Sequence, residues 1–129
     1  MSLTTNVHLT RADLLAYADA SGDSNPIHQS DEAARAVGLP GVLAHGMLTL
    51  GLACSAVADW AGSSDAVVEF GGRFIKPVLV DADTGADLTI DLAPADAPDP
   101  ETGLTRVDIT LTSAGVKALG MARASVRLA

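Results

Sequence analysis

Four polar residues in the first third of the sequence stand near glycine or proline between apolar segments: Asp23, Asn25, His28 and His45. A carboxylate and an imidazole that share one water can take a proton from it and deliver a proton to a neighbouring carbon. That is the general acid–base requirement for adding water to a double bond. Asp23 and His28 are five positions apart and would face different sides of a continuous helix. Pro26 keeps Asn25 out of helical conformation, and in such a turn the two side chains can converge. The same spacing suits a plain structural role, with Asp23 capping the turn and His28 packed and hydrogen-bonded. Gly46 is a further element, since it follows His45 and opens a long apolar run. The first N–H groups of a helix lack internal acceptors and can bind an oxyanion, and glycine lets a ligand approach the backbone. Gly46 serves equally well as the residue that eases a sharp entry into the helix.

The surrounding elements must position these groups. Thr10-Arg11-Ala12-Asp13 has the form of a helix start, and Leu14, Leu15, Tyr17 and Ala18 follow on one apolar face, predicting a helix over residues 11–20. Gly22 ends it, and Asp23-Ser24-Asn25-Pro26 is turn chemistry. A second short helix begins near Ser30, with Asp31 and Glu32 at its positive end. Residues 46–61 are apolar on nearly every side and carry charge only at Asp59, which predicts a helix enclosed by other structure. At 1.5 Å per residue it is roughly 24 Å long, short of a lipid span.

Beyond residue 65 the period changes to alternation. Val67-Val68-Glu69-Phe70 and Arg73-Phe74-Ile75 flank Gly71-Gly72, a pair that marks a bend or bulge. Leu88/Ile90/Leu92, Val107/Ile109/Leu111 and Ala122/Ala124/Val126/Leu128 alternate with polar residues. Four one-sided strands after the helices predict an α+β domain, spanning residues 1–129, in which an antiparallel sheet curls around the 46–61 helix.

Composition narrows the function classes. The chain has 129 residues, 48% hydrophobic but only 3% aromatic, so its core is built from aliphatic side chains. Sixteen acidic residues against eight basic ones give a net charge of −8, which argues against binding nucleic acid through a general surface field. The single Cys54 allows no internal disulfide. With no apolar run of spanning length and no leader-like segment, the expectation is a soluble cytoplasmic protein without membrane insertion.

Tyr17-Ala18, then Ser21-Gly22-Asp23-Ser24-Asn25-Pro26-Ile27-His28, then Ala44-His45-Gly46-Met47 resemble the hydratase-2 motif of the MaoC-like (R)-specific enoyl-thioester hydratases and dehydratases. Within that family the sequence is most similar to the catalytic subunit of mycobacterial-type (3R)-hydroxyacyl-carrier-protein dehydratases. The motif residues fall within residues 10–61, and the remaining half agrees only in its strand-like pattern. The resemblance implies a hot-dog fold, a long central helix wrapped by an antiparallel sheet, paired into a homodimer or into a heterodimer with a non-catalytic hot-dog subunit. It further implies Asp23 and His28 as the catalytic dyad and the backbone N–H of Gly46 as the group that binds the thioester carbonyl. The substrate would be an acyl thioester of coenzyme A or acyl carrier protein, with no other cofactor. Rival readings are an acyl-thioester hydrolase on the same fold and a subunit of a heteromeric dehydratase inactive alone.

Two departures from the family are visible. Cys54, followed by Ser55, occupies the position on the central helix where relatives often carry serine, and a thiol is the weaker hydrogen-bond partner. The sequence also starts close to the first helix, so an N-terminal strand seen in many relatives is expected to be short or missing. Three histidines and one cysteine show no metal-ligand spacing, so no metal is expected. Arg73 and Lys76, beside Gly72 and Pro77, are candidate contacts for the phosphates of coenzyme A or pantetheine, or else solvated surface charges.

Overall fold

The computed structural model describes residues 3–128. Strand β1 (Thr4–Leu9) leads into helix α1 (Arg11–Ser21), followed by α2 (Asp31–Ala36) and α3 (Gly46–Ala61). Strands β2 (Val67–Phe74), β3 (Ala86–Pro94), β4 (Thr105–Ser113), β5 (Val116–Lys117) and β6 (Leu119–Val126) complete the chain. They form one antiparallel sheet in the order β1-β3-β4-β6-β2, with β5 paired to β4. The sheet lies against α3, as in a hot-dog domain, and the core is the contact between them.

Local chemistry explains each boundary. Thr10 and Asp13 form a reciprocal capping box at the start of α1, and Gly22 ends that helix in the left-handed conformation at φ 80°. Leu14 and Ala18 are the buried pair on α1, four positions apart, whereas Leu15 is 53% exposed, so the inward face is narrower than the sequence suggests. In α3 the buried residues are Thr49, Ala53, Ala56 and Val57. Met47, Gly51, Ser55 and Asp59 form an exposed stripe at helical spacing. The expectation of a helix enclosed on every side is therefore corrected: the sheet covers one face, and small side chains there let it approach.

The alternating pattern of the second half is realised in the sheet. Leu88, Ile90 and Leu92 on β3, Val107, Ile109 and Leu111 on β4, and Ala122, Ala124 and Val126 on β6 are all buried. Leu128 lies beyond β6 and is 43% exposed, so the alternation stops before it. The Gly71-Gly72 pair coincides with a register shift between Gly71 and Arg73 against β6. A Cβ at Gly72 would come within 3.2 Å of the Ala122 Cβ, so glycine allows the two strands to approach there without displacing Ala122.

The N-terminal strand, expected to be short or missing, is present and shorter than the main strands of the sheet. Thr4–Leu9 forms a six-residue edge strand in full antiparallel register with Leu88, Ile90 and their neighbours on β3. Only Leu9 of that strand is buried, so it carries no clear alternation of its own and is held by main-chain pairing.

Candidate active site

The turn between α1 and α2 builds the first half of the site. Ser21 Oγ accepts from the Asp23 N–H at 3.1 Å, and an Asp23 carboxylate oxygen accepts from the Asn25 N–H at 3.2 Å. Asn25 in turn caps the single 3-10 turn Pro26–His28, its side-chain oxygen accepting from the Ile27 N–H. This succession of side-chain-to-backbone bonds replaces helical ones and directs Asp23 and His28 towards each other. Asp23 is exposed, while His28 is almost buried, at 9%.

The second half comes from the segment before α3. His28 Nδ1 lies 2.8 Å from the Leu43 carbonyl oxygen, so it carries the hydrogen and donates it there. In the neutral ring the lone pair is then on Nε2, the tautomer suited to accept a proton. His45 is fully buried and donates from Nε2 to the Asp23 carbonyl oxygen at 3.1 Å, leaving its buried Nδ1 without a partner among the described residues. The His45 ring stacks on His28 with centroids 4.0 Å apart, and Tyr17 meets His45 edge-on at 4.8 Å. One ligand-type atom from each of Asp23, His28 and His45 lies within 4.8 Å of the others.

Such a trio could be considered for a metal ion, and each imidazole does donate its other N–H to a carbonyl, as metal-binding histidines do. The stacking opposes that use. Ring lone pairs lie in the ring planes, and planes inclined by only 24° at 4.0 Å separation do not direct both nitrogens at one ion. The arrangement fits proton transfer at His28 better, with His45 as the wall behind it.

Gly46 begins α3 directly after His45, which caps the helix with no side-chain bond. The His45 carbonyl takes the N–H groups of Leu48 and Thr49, while the Gly46 N–H has no main-chain acceptor among the described residues. The Phe74 ring lies over this glycine: a Cβ at Gly46 would meet it at 3.0–3.2 Å. Phe74 is itself 56% exposed.

The structure thus brings together Asp23 and His28, with Gly46 one residue beyond the histidine stacked on His28. Arg73 and Lys76 are not gathered at this cluster. Arg73 adjoins Phe74 on β2 and therefore takes the opposite face from the ring that covers Gly46. Lys76 lines a cavity of about 260 Å³ with Pro77, Leu79 and Val116. Cys54 is half-buried, and burial pushes its thiol above the ordinary range, which leaves it a poor nucleophile. The contribution of Phe74 was not readable beforehand, because an aromatic residue in an alternating strand carries no mark of what its ring covers. His45 stood out in the sequence as a polar residue in an apolar setting, but its stacking on His28 depends on the fold.

A family model described as MaoC like domain matches residues 2–91. Among curated proteins, 3-hydroxyacyl-thioester dehydratase X of Mycobacterium tuberculosis is 39% identical over 79 residues, 61% of this chain and 27% of that protein. A solved MaoC-like dehydratase superposes with TM-score 0.93 at 39% identity, covering 98% of this chain and 38% of the other. An (R)-hydratase from A. caviae involved in PHA biosynthesis gives TM-score 0.82 at 20% identity, covering 98% of this chain and 92% of that one. The ChsH1-ChsH2 complex from M. tuberculosis gives 0.76 at 19% identity, with 95% and 89% covered. The last two likenesses concern the fold alone. The chain spans about a quarter of the curated relative it matches.

Proposed function

The chain belongs to the MaoC-like domain family, and from that premise we propose that it catalyses the reversible syn hydration of trans-2-enoyl thioesters to (R)-3-hydroxyacyl thioesters. The observation that carries this reading is the convergence of Asp23 and His28, with Gly46, the first residue of α3, directly after the His45 that stacks on His28. The Gly46 N–H, at the positive end of a 16-residue helix, holds the thioester carbonyl oxygen and stabilises the negative charge that develops on it. Cβ becomes electrophilic. A water bound between the Asp23 carboxylate and His28 Nε2 attacks Cβ as its proton passes to Nε2. The π electrons move through Cα to the carbonyl oxygen, and the proton returns to Cα from the same face, so that water has added in full and nothing else is consumed. The reverse sequence is dehydration. Leu43 fixes the tautomer that this requires by accepting the Nδ1 hydrogen.

No metal enters these steps, and no cofactor beyond the coenzyme A or carrier protein that bears the acyl group. Arg73 and Lys76 are offered as phosphate contacts of that carrier, on the strength of their charge and exposure; neither forms an ion pair among the described residues. The working unit is read as a hot-dog pair joined at β2, the sheet edge opposite β1, with Val68, Phe74 and Ile75 exposed along it. A homodimer is the simpler form; the heteromeric solved relative supports pairing with a different hot-dog subunit as the other. The site of action is read as cytoplasmic; no helix of the described residues is long and apolar enough to cross a membrane.

The decisive experiment follows the loss of conjugated-thioester absorbance when the protein meets crotonyl-CoA, beside the variants Asp23→Asn and His28→Ala, with chiral analysis of the product. Turnover to the (R)-alcohol that disappears in both variants supports the reading. Near-normal turnover in either variant refutes the dyad. Release of free thiol from acyl-CoA in place of hydration assigns the chain to thioester hydrolysis.

A further inference from the structure

The site depends on a strap of main chain, residues 42–45, that joins the His28 turn to the head of α3. Within it the Leu43 N–H donates to the Ile27 carbonyl at 3.1 Å and the Ala44 N–H to the Val78 carbonyl at 2.8 Å. The Leu43 carbonyl is the acceptor for His28 Nδ1. One carboxylate grips the front of this strap. An Asp31 carboxylate oxygen accepts the Val42 N–H at 3.0 Å and Arg11 Nη2 at 2.9 Å. Arg11 also donates through Nε to the Val80 carbonyl at 2.6 Å, and the Val80 N–H donates to the Val42 carbonyl at 3.0 Å. These four bonds close a ring: Arg11, Asp31, Val42, Val80 and back to Arg11.

We propose that Asp31, held by Arg11, is a positioning residue that sets the 42–45 strap so that the Leu43 carbonyl keeps the hydrogen of His28 on Nδ1. The inference rests on the dyad reading above and names a residue that acts through the main chain, with no contact to substrate. Three further observations support it. The bond from the Val42 N–H and the Arg11 guanidinium hold the Asp31 carboxyl below the ordinary carboxylate range, as expected of an ion that both partners stabilise. A Cβ at Gly41 would stand 3.1 Å from the same Asp31 oxygen, so glycine leaves room for the carboxylate to reach the strap. The side chains of Arg11 and Asp31 are 24% and 32% exposed, so both are partly covered and restricted in the rotamers they can take, although the ring borders a cavity of about 250 Å³. An acid in the first turn of a short helix needs no such partners, since the helix end alone favours it.

The test uses the full chain labelled with ¹⁵N and reads the His28 ring nitrogens at a pH where the ring is neutral, alongside steady-state hydration of crotonyl-CoA. In the unaltered protein Nδ1 carries the hydrogen and Nε2 is bare. In Asp31→Asn, and independently in Gly41→Ala, the signals shift towards a mixture of tautomers, and kcat falls about tenfold while KM stays within about twofold. A purely structural tether would lower thermal stability and leave the tautomer and kcat of the folded protein unchanged, and that outcome in Gly41→Ala overturns the proposal even if Asp31→Asn fails to fold. Failure of the dyad reading is separable. If Asp23→Asn and His28→Ala retain turnover, the functional assignment falls and the tautomer measurement still decides the role of Asp31. If those variants are inactive while both strap variants keep the Nδ1 tautomer and normal kcat, only the role of Asp31 falls.

Discussion

The sheet and the turn that carries Asp23 and His28 are held by opposite means. On β3, β4 and β6, ten aliphatic side chains from Leu88 to Val126 are buried in the core against α3, and no single one of them defines the position of another. In the 21–45 region each important side chain is fixed by one or two named hydrogen bonds: Asp23 by Asn25, His28 by Leu43, His45 by the Asp23 carbonyl. Dispersion and burial accumulate over many contacts and tolerate small errors, whereas a hydrogen bond specifies one geometry. The sheet therefore supplies stability, and the turn supplies the precision that chemistry demands.

If this division holds, damage to the two regions must register in different measurements. The largest effect is expected in the sheet: Leu111→Ala, at a position with no exposure, should lower unfolding free energy by about 2–5 kcal/mol in urea titration. The kcat of the molecules that remain folded should be unchanged. A fall in kcat with stability preserved would break the division from the sheet side. Next come the dyad variants, in which Asp23→Asn and His28→Ala should each reduce hydration at least ~100-fold, a loss of about 2.7 kcal/mol in transition-state stabilisation. The unfolding midpoint of Asp23→Asn should stay close to that of the unaltered protein, because Asp23 is exposed and carries little packing, whereas His28→Ala also empties a buried position stacked on His45 and should lower the midpoint.

The same contrast explains what was legible in the sequence. The alternation of Leu88/Ile90/Leu92 and Val107/Ile109/Leu111 and the length of the 46–61 run identify elements because burial repeats with the geometry of the backbone. The bounds of Thr4–Leu9 were not legible, and its presence stayed open, because an edge strand with one buried residue has no period to reveal it. Asp23, Asn25 and His28 were visible because a Pro-containing turn concentrates polar residues where an apolar pattern is interrupted. Asp31 was visible only as an acid at a helix start, since it meets the strap through the Val42 N–H, and Arg11, which holds it, is itself held by the Val80 carbonyl: both are backbone groups, and every residue type has those. The Phe74 ring over Gly46 was hidden for a related reason: the contact crosses from β2 to α3, and neither residue's type announces it.

Gly46→Ala sharpens the comparison at the point where the two regions meet. The added methyl group would press on Phe74, whose half-exposed ring can move outward, so stability should change by no more than about 1 kcal/mol. Hydration should nevertheless slow by about tenfold, because the methyl stands beside the N–H that receives the carbonyl oxygen. Phe74→Ala in the same chain should restore part of the rate by giving the methyl room. Equal turnover in Gly46→Ala and the unaltered protein would remove this N–H from the mechanism.

The smallest effect concerns acid, and it compares two ionised carboxylates that differ in what they hold. Asp31 is kept below the ordinary range by the Val42 N–H and Arg11, whereas Asp108 on β4 is kept low by the exposed Arg106 beside it. Both folded-state values lie below those of the unfolded chain, so the stability each contributes is complete above the unfolded value, near 3.8, and is lost as the pH falls through the folded value. Unfolding midpoints recorded downward from about pH 5 should therefore decline for the unaltered protein and decline less steeply for Asp31→Asn and for Asp108→Asn. The two variants should part in a second measurement: amide exchange at Val42 and Leu43 should quicken in Asp31→Asn alone, because Asp108 faces only Arg106 on its own strand and Arg123 on β6 and makes no bond to the strap. Faster exchange at those amides in Asp108→Asn as well would mean that the sheet face and the strap are coupled, and that the separation of stability from precision is less complete than the hydrogen bonds imply.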